Sequence, residues 1–183
     1  TRICLNPQSL HEETLKQIHR PYESNIEELI KEFQDAGIKV NCDLIAGLPG
    51  ETPEMFISSL EKLLSFKPDE ITIHNLSIKR GSELKFRTFK AEDVPRMLNK
   101  SRAMLKEEGY NPYYLYRQKN MLGHGENVGY TRSEPNIYNI RMMEDAHEIL
   151  ALGSNATSKY IDAEGLHRLI SIKETTLWIE EKE

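Results

Sequence analysis

The chain has 183 residues, of which 38% are hydrophobic, and this is enough to bury the core of one domain with or without a smaller appendage. The formal net charge of -5 argues against a general nucleic-acid binder, because neutralising a phosphate backbone requires a basic surface. No apolar run approaches the roughly 20 residues of a membrane span, and no N-terminal stretch has the pattern of a signal peptide. We therefore expect a cytoplasmic protein whose partners include neither nucleic acid nor a membrane.

Cysteine and histidine give no metal-binding pattern. The two cysteines, Cys4 and Cys42, lie in separate strand-like segments and form no close-spaced ligand motif. They are predicted to be buried, small and apolar in their behaviour. The six histidines show no ligand spacing either, so no metal site is predicted.

Strand-like segments recur along the first half of the chain with room for one crossover helix between each pair. They are Ile3–Leu5, Val40–Ile45 and Glu70–Leu76. Such a series predicts βαβαβ units with right-handed connections, and hence an α/β fold that forms half of a barrel or sheet.

The helices between these strands carry clear end signals. The first crossover is predicted to contain a short helix over 12–19 and a longer one that opens with a capping box of Ser24 and Glu27 and stops at Gly37. The second crossover helix begins with Thr52 as its cap and Pro53 in its first turn. A further apolar stripe predicts a helix over 92–108.

Beyond Tyr110 the composition shifts toward Tyr, Asn, Gly and short apolar runs, which predicts a small α+β region. We therefore divide the chain into a barrel segment, 1–91, and a C-terminal region, 92–183. The strands and the helix expected in the second part are the aromatic run from 113, then 126–130, 149–152 and 159–161, and a terminal helix over 175–180.

The stretch from Cys42 to Thr52 is the strongest candidate for a functional site. An apolar strand interrupted by Asn41 and Asp43 delivers a carboxylate into a Gly/Pro turn just before a helix N-terminus, which is ligand-binding geometry in α/β proteins. From spacing alone, Asp43 could equally cap the following helix or pair with a neighbouring strand.

Several motifs together carry a resemblance to a known family. Leu5–Leu10, Glu13–Leu15 with Arg20, and Asp43–Thr52 resemble the second half of a radical S-adenosylmethionine barrel, specifically that of oxygen-independent coproporphyrinogen III oxidase. The later motifs are similar to the second oxygen-independent type, called coproporphyrinogen dehydrogenase. They are Tyr113–Asn120, Glu126–Tyr130, Tyr138–Ile140, Ala151–Gly153 and Ala156–Lys159.

The resemblance implies a partial (β/α)6 barrel with parallel strands four to six, plus the α+β C-terminal region as a substrate and lid region. It also implies a parent radical oxidoreductase that uses S-adenosylmethionine, a 4Fe-4S cluster and an electron donor such as a flavodoxin or ferredoxin. That enzyme decarboxylates two propionates of its tetrapyrrole substrate, coproporphyrinogen III, to give protoporphyrinogen IX in haem biosynthesis. The family's cluster-binding cysteine motif precedes the position matched by Thr1. We therefore expect an inactive fragment that self-associates through its truncated barrel edge.

The resemblance also assigns cofactor-binding roles by position. Gln8 and Asp43 match residues that bind the ribose hydroxyls of S-adenosylmethionine, and Arg20 matches the residue that holds its methionine carboxylate. Ile45 and Ser77 match positions that pack against the adenine. Gln8 could instead be a satisfied polar group at a strand end, and Arg20 an ordinary solvated side chain.

Substrate contacts are less determined, and no catalytic residue is assigned. Four propionates call for cations, and the candidates are Lys79, Arg80, Lys85, Arg87, and above all Arg117 and Lys119. The family places C-terminal residues over the cofactor, which suggests Asn127, Tyr130 and Thr157 as lid contacts. Tyr113, Tyr114 and Tyr116 are predicted to place one strand face in the core, whatever the function.

Two other functions stay open. One is a related haem-binding chaperone, which shares the barrel motifs but usually shows Gly-Val-Gln where this chain has Asn6-Pro7-Gln8. The other is a radical enzyme that acts on a non-porphyrin substrate.

Overall fold

The computed structural model describes residues 1–79, 90–122, 125–145 and 147–173. The chain divides into two compact units, Thr1–Pro135 and Asn136–Glu183.

The first unit contains a five-stranded sheet in which three parallel strands are followed by two antiparallel ones. The order across the sheet is β1-β2-β3-β5-β4. The strands are β1 (Arg2–Gln8), β2 (Lys39–Ala46), β3 (Glu70–Asn75), β4 (Asn111–Tyr116) and β5 (Asn127–Thr131). The three predicted parallel strands are confirmed, and β1 and β4 lie at the two edges of the sheet.

Four helices accompany this sheet, each where the sequence predicts one: α1 (Glu12–Gln17), α2 (Ile26–Asp35), α3 (Pro53–Ser65) and α4 (Val94–Glu107). A short 3-10 turn, Ala91–Asp93, leads into the last. Thr52 caps α3, because its side chain accepts a hydrogen bond from the Met55 backbone N–H at 3.3 Å. Gly37 follows α2 with a φ of +72°, a left-handed conformation that favours glycine.

The predicted capping box of Ser24 and Glu27 is wrong. Helix α2 begins at Ile26 with Asn25 at the cap position, and among the described residues no side chain hydrogen-bonds that cap. Ser24 therefore lies outside the cap, and Glu27 is the second helical residue rather than the third, where a capping box needs it.

The core lies between one face of the sheet and the helices α2, α3 and α4. Alternate strand residues supply it, so that Leu44, Ile71 and Ile73 are at most 2% exposed. From the helices come Ile30, Phe56 and Leu60, each at most 1% exposed. We call this side of the sheet the helix face.

The predicted boundary between 91 and 92 falls inside the first unit. Strand β5 pairs with β3 from Glu70↔Thr131 to Ile73↔Val128, and β4 pairs with β5. Helix α4 packs against α3. The segment after residue 91 therefore completes the sheet and its helical layer, and the division comes only at Pro135.

The second unit contains helix α5 (Ile137–Glu144) and a hairpin of β6 (Thr157–Asp162) with β7 (Gly165–Ile170). The predicted strand over 159–161 is confirmed within β6. The predicted strand over 149–152 is reduced to one bridge between Ile149 and Lys159. The terminal helix expected over 175–180 lies outside the described residues.

Within the described ranges, no helix has both the length and the apolar character needed to cross a bilayer.

Candidate functional site

The sheet face opposite the helices is polar, and we call it the polar face. Asn41 and Asp43 on β2 pair in register with Glu70 and Thr72 on β3, so these side chains alternate with the core residues of the same strands. His74 continues the row. Parallel strands are normally apolar on both faces, so a polar row across two of them marks a site for chemistry rather than packing.

One hydrogen-bonded chain of side chains ends on the Oδ1 atom of Asp43. The Asn41 Nδ2 group donates to this oxygen at 2.7 Å, and the Thr72 hydroxyl donates to Asn41 Oδ1 at 3.0 Å. The Tyr114 hydroxyl lies 3.3 Å from the Thr72 hydroxyl. Because the carboxylate can only accept, Asn41 must turn its NH2 group toward Asp43, and the chain therefore runs from tyrosine to aspartate.

A second chain ends on the other oxygen of Asp43. His74 Nε2 lies 3.4 Å from Asp43 Oδ2, and His74 Nδ1 lies 3.3 Å from the Tyr116 hydroxyl. Tyr116 is in turn hydrogen-bonded by the Asn127 side chain, whose Oδ1 accepts from the Asn75 backbone N–H at 2.7 Å. Since that N–H can only donate, the NH2 of Asn127 faces Tyr116.

The two tyrosines that begin these chains are held as a stacked pair on β4. The rings of Tyr114 and Tyr116 are nearly parallel, with 4° between their planes and 6.3 Å between their centroids. Gly129 on β5 makes room for the first ring, because a Cβ atom at this position would overlap Tyr114 Cε1. Burial raises the pKa of Tyr114 to about 12, so its hydroxyl stays protonated and can donate.

Cys4 lies on this face and is exposed, which corrects the prediction that both cysteines are buried. It pairs in register with Asn41, whose side chain donates to its sulfur at 2.9 Å, while the thiol donates to Asn6 Oδ1 at 3.0 Å. Desolvation and the nearby Asp43 charge raise its pKa to about 11. The thiol is thus a protonated neighbour of the carboxylate rather than a nucleophile.

The residues of this chain do not fit a 4Fe-4S cluster. Cys4 is on the polar face, whereas Cys42 is a buried member of the helix-face core, and burial raises the pKa of the Cys42 thiol. Two thiols on opposite sides of a sheet cannot ligate one cluster, which requires several thiolates. In the parts of the chain that the structure describes, no three His, Cys, Asp or Glu side chains form a group able to hold a metal ion.

Gln8 and Arg20 lie at the carboxyl end of β1. Gln8 pairs with Leu44, a core residue of the helix face that follows Asp43, and its backbone has a φ of +65°. Its Oε1 atom is buried and has no hydrogen-bond partner among the described residues, so an acceptor is unsatisfied at the position predicted to meet a ribose hydroxyl. Arg20 donates to the Asn6 carbonyl at 3.0 Å and lines a cavity of about 240 Å³ beside that strand end.

The two predicted adenine contacts have different surroundings. Ile45 lies on the polar face of β2 opposite His74 and is half-buried. Ser77 lies just after β3, where its hydroxyl donates to the Lys119 carbonyl at 2.6 Å and it forms a bridge with Met121. Ser77 therefore attaches the loop after β4 to the end of β3, a structural role that the sequence pattern does not indicate.

The predicted substrate contacts are spread over the molecule. Arg117 and Lys119 are exposed in the loop after β4. Asn127 is buried within the sheet and is not in a loop above it. It belongs to the series of side-chain contacts that runs through Tyr116 and His74. Tyr130 is a buried core residue on the helix face rather than a residue of the polar face. Thr157 lies in β6 of the second unit.

Of the other predicted cations, Lys79 Nζ donates to Gln118 Oε1 at 3.2 Å. Arg80, Lys85 and Arg87 lie outside the described residues.

Sequence reasoning missed the residues that surround Asp43, namely Asn41, Thr72, His74 and Tyr116. Their signal was available in part, because polar residues at alternate positions of β2 and β3 interrupt otherwise apolar strands. The tyrosines are predicted to place one strand face in the core, whereas the hydroxyls of Tyr113, Tyr114 and Tyr116 all contact residues of the polar face.

A buried carboxyl beside the Gly/Pro turn was also missed. Glu51 is 7% exposed, and its Oε1 accepts a 2.6 Å hydrogen bond from the Ser9 hydroxyl. Its other oxygen is buried without a partner among the described residues. Burial raises the pKa of Glu51 to about 7. The contact with Ser9 ties the end of β1 to the start of α3.

Comparison with known proteins defines the class. Residues 1–63 match the Radical SAM superfamily. The fold is similar to that of coproporphyrinogen III oxidase (HemN) from Escherichia coli, described as a radical SAM enzyme, with a TM-score of 0.70 and 18% identity over 99% of this chain and 43% of that one. The first unit is therefore a segment of a radical SAM fold, with β1, β2 and β3 as its parallel strands.

The curated relatives include an oxidase-like protein and a haem chaperone. The chain is 44% identical, over 88% of its length and 34% of the relative, to the oxygen-independent coproporphyrinogen-III oxidase-like protein HemZ of Bacillus subtilis. It is 30% identical to the haem chaperone HemW of Buchnera aphidicola over 62% of this chain and 31% of that protein. The chain is a radical SAM relative of the oxygen-independent coproporphyrinogen III oxidases, and it spans about a third of the length of these relatives.

Proposed function

We propose that the chain is the part of an oxygen-independent coproporphyrinogen III oxidase that holds the nucleoside of S-adenosylmethionine. The observation that carries this proposal is Asp43, a carboxylate near the carboxyl end of a central parallel strand. The Asn41 amide donates to one of its oxygens, and His74 Nε2 lies 3.4 Å from the other. A ligand in an open α/β sheet binds at this end of the strands. The likeness to the oxidase-like relative over most of the chain supports the same assignment.

Within this proposal, each residue at the strand ends has a task that its chemistry allows. Asp43 and Gln8 accept from the ribose hydroxyls, and Arg20 holds the methionine carboxylate with a guanidinium that carries more donors than its contact to Asn6 uses. Ile45 and Ser77 border the adenine. When bound, S-adenosylmethionine and its cluster would supply the radical that abstracts hydrogen from each of two propionates. Each substrate radical would then lose carbon dioxide and pass one electron to an electron acceptor, which leaves a vinyl group.

The tetrapyrrole would meet the cations of the loop after β4. Arg117 and Lys119 are exposed there and can pair with propionates. Protoporphyrinogen IX would be the product, formed without oxygen. An electron donor such as a flavodoxin or ferredoxin would serve the parent enzyme, and the setting would be the cytoplasm.

The test uses a full-length protein that carries this segment, reconstituted anaerobically. Carbon dioxide and 5′-deoxyadenosine are measured after S-adenosylmethionine and coproporphyrinogen III are added, for the wild type and for Asp43→Ala. Both products should form in the wild type and fall by at least about tenfold in the variant, since one hydrogen-bonded charge is lost. Equal activity of the two proteins would exclude the role of Asp43.

A haem-carrying function is the second candidate, because a haem chaperone is among the relatives. Haem titration separates the two functions. Tight haem binding, together with S-adenosylmethionine cleavage but no decarboxylation, would favour the carrier. Cleavage without either haem binding or decarboxylation would point to a radical enzyme with a non-porphyrin substrate.

We also propose that the isolated chain self-associates, because β1 is an edge strand of the described sheet. An unpaired strand edge offers backbone donors and acceptors to another copy. Light scattering at high concentration should show a species larger than 21.2 kDa. A monomer under those conditions would contradict this proposal.

A further inference from the structure

We propose that His74, with Tyr116 and Asn127 behind it, is a positioning residue for the ribose diol. In this assignment it fixes the Asp43 carboxylate so that each oxygen keeps one acceptor site for a hydroxyl. The inference rests on the proposed function, because it assumes that a ribonucleoside binds at Asp43. It adds residues and a direction of hydrogen bonding that neither the sequence motifs nor the relatives' names assign.

The hydrogen bonds behind His74 have an assigned direction. The Asn75 backbone N–H donates to Asn127 Oδ1 at 2.7 Å, which leaves the amide NH2 to donate to the Tyr116 oxygen. In this assignment the Tyr116 hydroxyl donates to His74 Nδ1, 3.3 Å away. An imidazole that accepts at Nδ1 carries its proton on Nε2, the nitrogen 3.4 Å from Asp43 Oδ2. The assignment therefore makes a backbone N–H favour one tautomer of the histidine through two intervening side chains.

The Asp43 carboxylate has acceptor sites left for a ligand. A carboxylate has about four lone-pair sites, two on each oxygen. Asn41 occupies one on Oδ1 with a hydrogen bond, whereas His74 Nε2 lies 3.4 Å from Oδ2 in a looser charge contact. The Cys4 thiol has a single proton, and its 3.0 Å contact with Asn6 is shorter than its 3.7 Å contact with Asp43. One site therefore remains on each oxygen, which matches the two hydroxyls of a vicinal diol.

Asp43 and His74 are partly exposed to solvent, whereas the residue behind them is buried. The side chain of Asp43 is 15% exposed and that of His74 is 23% exposed, whereas Asn127 is 1% exposed. Asn127, which supports the other side chains, is therefore closed to solvent, whereas His74 and Asp43 are accessible to a ligand. This is the arrangement expected of a group that orients another side chain toward a ligand.

The experiment measures binding of S-adenosylmethionine and of its 2′-deoxy analogue to the chain by calorimetry. His74→Phe keeps a ring but removes both nitrogens, and it should weaken S-adenosylmethionine binding about tenfold, the value of one hydrogen bond to a charged group. His74→Gln places an amide NH2 near the Nε2 position and should restore most of the affinity. With the 2′-deoxy analogue, the loss caused by His74→Phe should shrink to about twofold, because one diol hydroxyl is gone.

A ligand-free measurement guards against misfolding of the variants. Nitrogen NMR of the His74 imidazole should show the Nε2–H tautomer in the wild type. Tyr116→Phe removes only a hydroxyl and should abolish the hydrogen-bonded Nδ1 signal without changing the circular dichroism spectrum. An Nδ1–H tautomer in the wild type would overturn the assigned direction and the proposal with it.

The outcomes separate this inference from the proposed function. If the wild type does not bind S-adenosylmethionine, or if Asp43→Ala binds as well as the wild type, the nucleoside site itself is wrong and the inference fails with it. If Asp43→Ala weakens binding but His74→Phe does not, only the role of His74 is overturned. An equal loss with both ligands would also overturn it, because His74 would then act independently of the diol.

Discussion

The two faces of the central strand β2 differ in whether a ligand can reach their side chains. On the helix face, Val40, Cys42 and Leu44 are 0% exposed, packed against helices and closed to any ligand. On the polar face, Asn41 and Asp43 are hydrogen-bonded, yet the Asp43 side chain keeps 15% of its surface open. Because strand side chains alternate, one short segment supplies stability on one side and recognition on the other. Changes one residue apart should therefore affect mainly stability on the helix face and mainly ligand binding on the polar face.

The largest effect on folding should come from Leu44→Ala. Removing a fully buried leucine side chain should lower the free energy of unfolding by about 3 kcal/mol, through lost burial and the cavity left behind. Urea denaturation followed by circular dichroism measures it. The matched change is Asp43→Ala, which should cost only about 1 kcal/mol because its partners can turn to water. Equal losses in the free energy of unfolding would show that the polar face stabilises the fold as much as the helix face does. That result would contradict the division of roles between the two faces.

Glu51→Gln should reveal a buried charge just beyond the end of β2. The folded-state pKa of Glu51 is raised from 4.5 to about 7, so between these values the folded chain binds more protons than the unfolded chain. Its contribution to stability is therefore lost as pH rises through this window. The variant, which does not titrate, should be more stable than the wild type by about 2–3 kcal/mol at pH 8.

At pH 4 the two proteins should unfold at the same urea concentration, because the Glu51 carboxyl is then largely protonated in both states. The amide oxygen of the Glu51→Gln variant still accepts from the Ser9 hydroxyl, so loss of that contact does not confound the comparison. A stability difference that is independent of pH would show that Glu51 does not carry the titration.

Gly129→Ala should damage the polar face without touching the helix face. The new methyl group would overlap the Tyr114 ring, far inside van der Waals distance, and the cost should be about 2 kcal/mol. Thermal unfolding measures the loss. In a Tyr114→Ala background the same change should cost much less. If Gly129→Ala lowers stability equally in the Tyr114→Ala background, the steric overlap does not involve the Tyr114 ring.

The smallest effect should come from the residue that caps the N-terminus of helix α3. Thr52→Ala removes the acceptor for the Met55 N–H and should lower the free energy of unfolding by about 1 kcal/mol. Ser24→Ala is the control, because Asn25 rather than Ser24 occupies the cap position of α2. Its effect should lie within the error of the urea midpoint. A loss equal to that of Thr52→Ala would restore the capping box that the sequence predicts.

Local patterns in the sequence determined the three parallel strands, the four helices of the first unit and the stop at Gly37. These follow from hydrophobic period, turn residues and cap residues that act within a few positions. Asp43 was also identifiable, because a carboxylate between an apolar strand and a Gly/Pro turn is a local pattern, and the family resemblance gave it a role.

Only the tertiary structure decided what surrounds Asp43. Strands β4 and β5 join the sheet antiparallel, and this brings Tyr114 and Tyr116 within hydrogen-bond reach of Thr72 and His74, whose positions are 42 residues away in the chain. It also placed Tyr130 on the helix face and Cys4 on the polar face. No local pattern encodes such contacts, because pairing and register between distant strands are set by packing of the whole sheet.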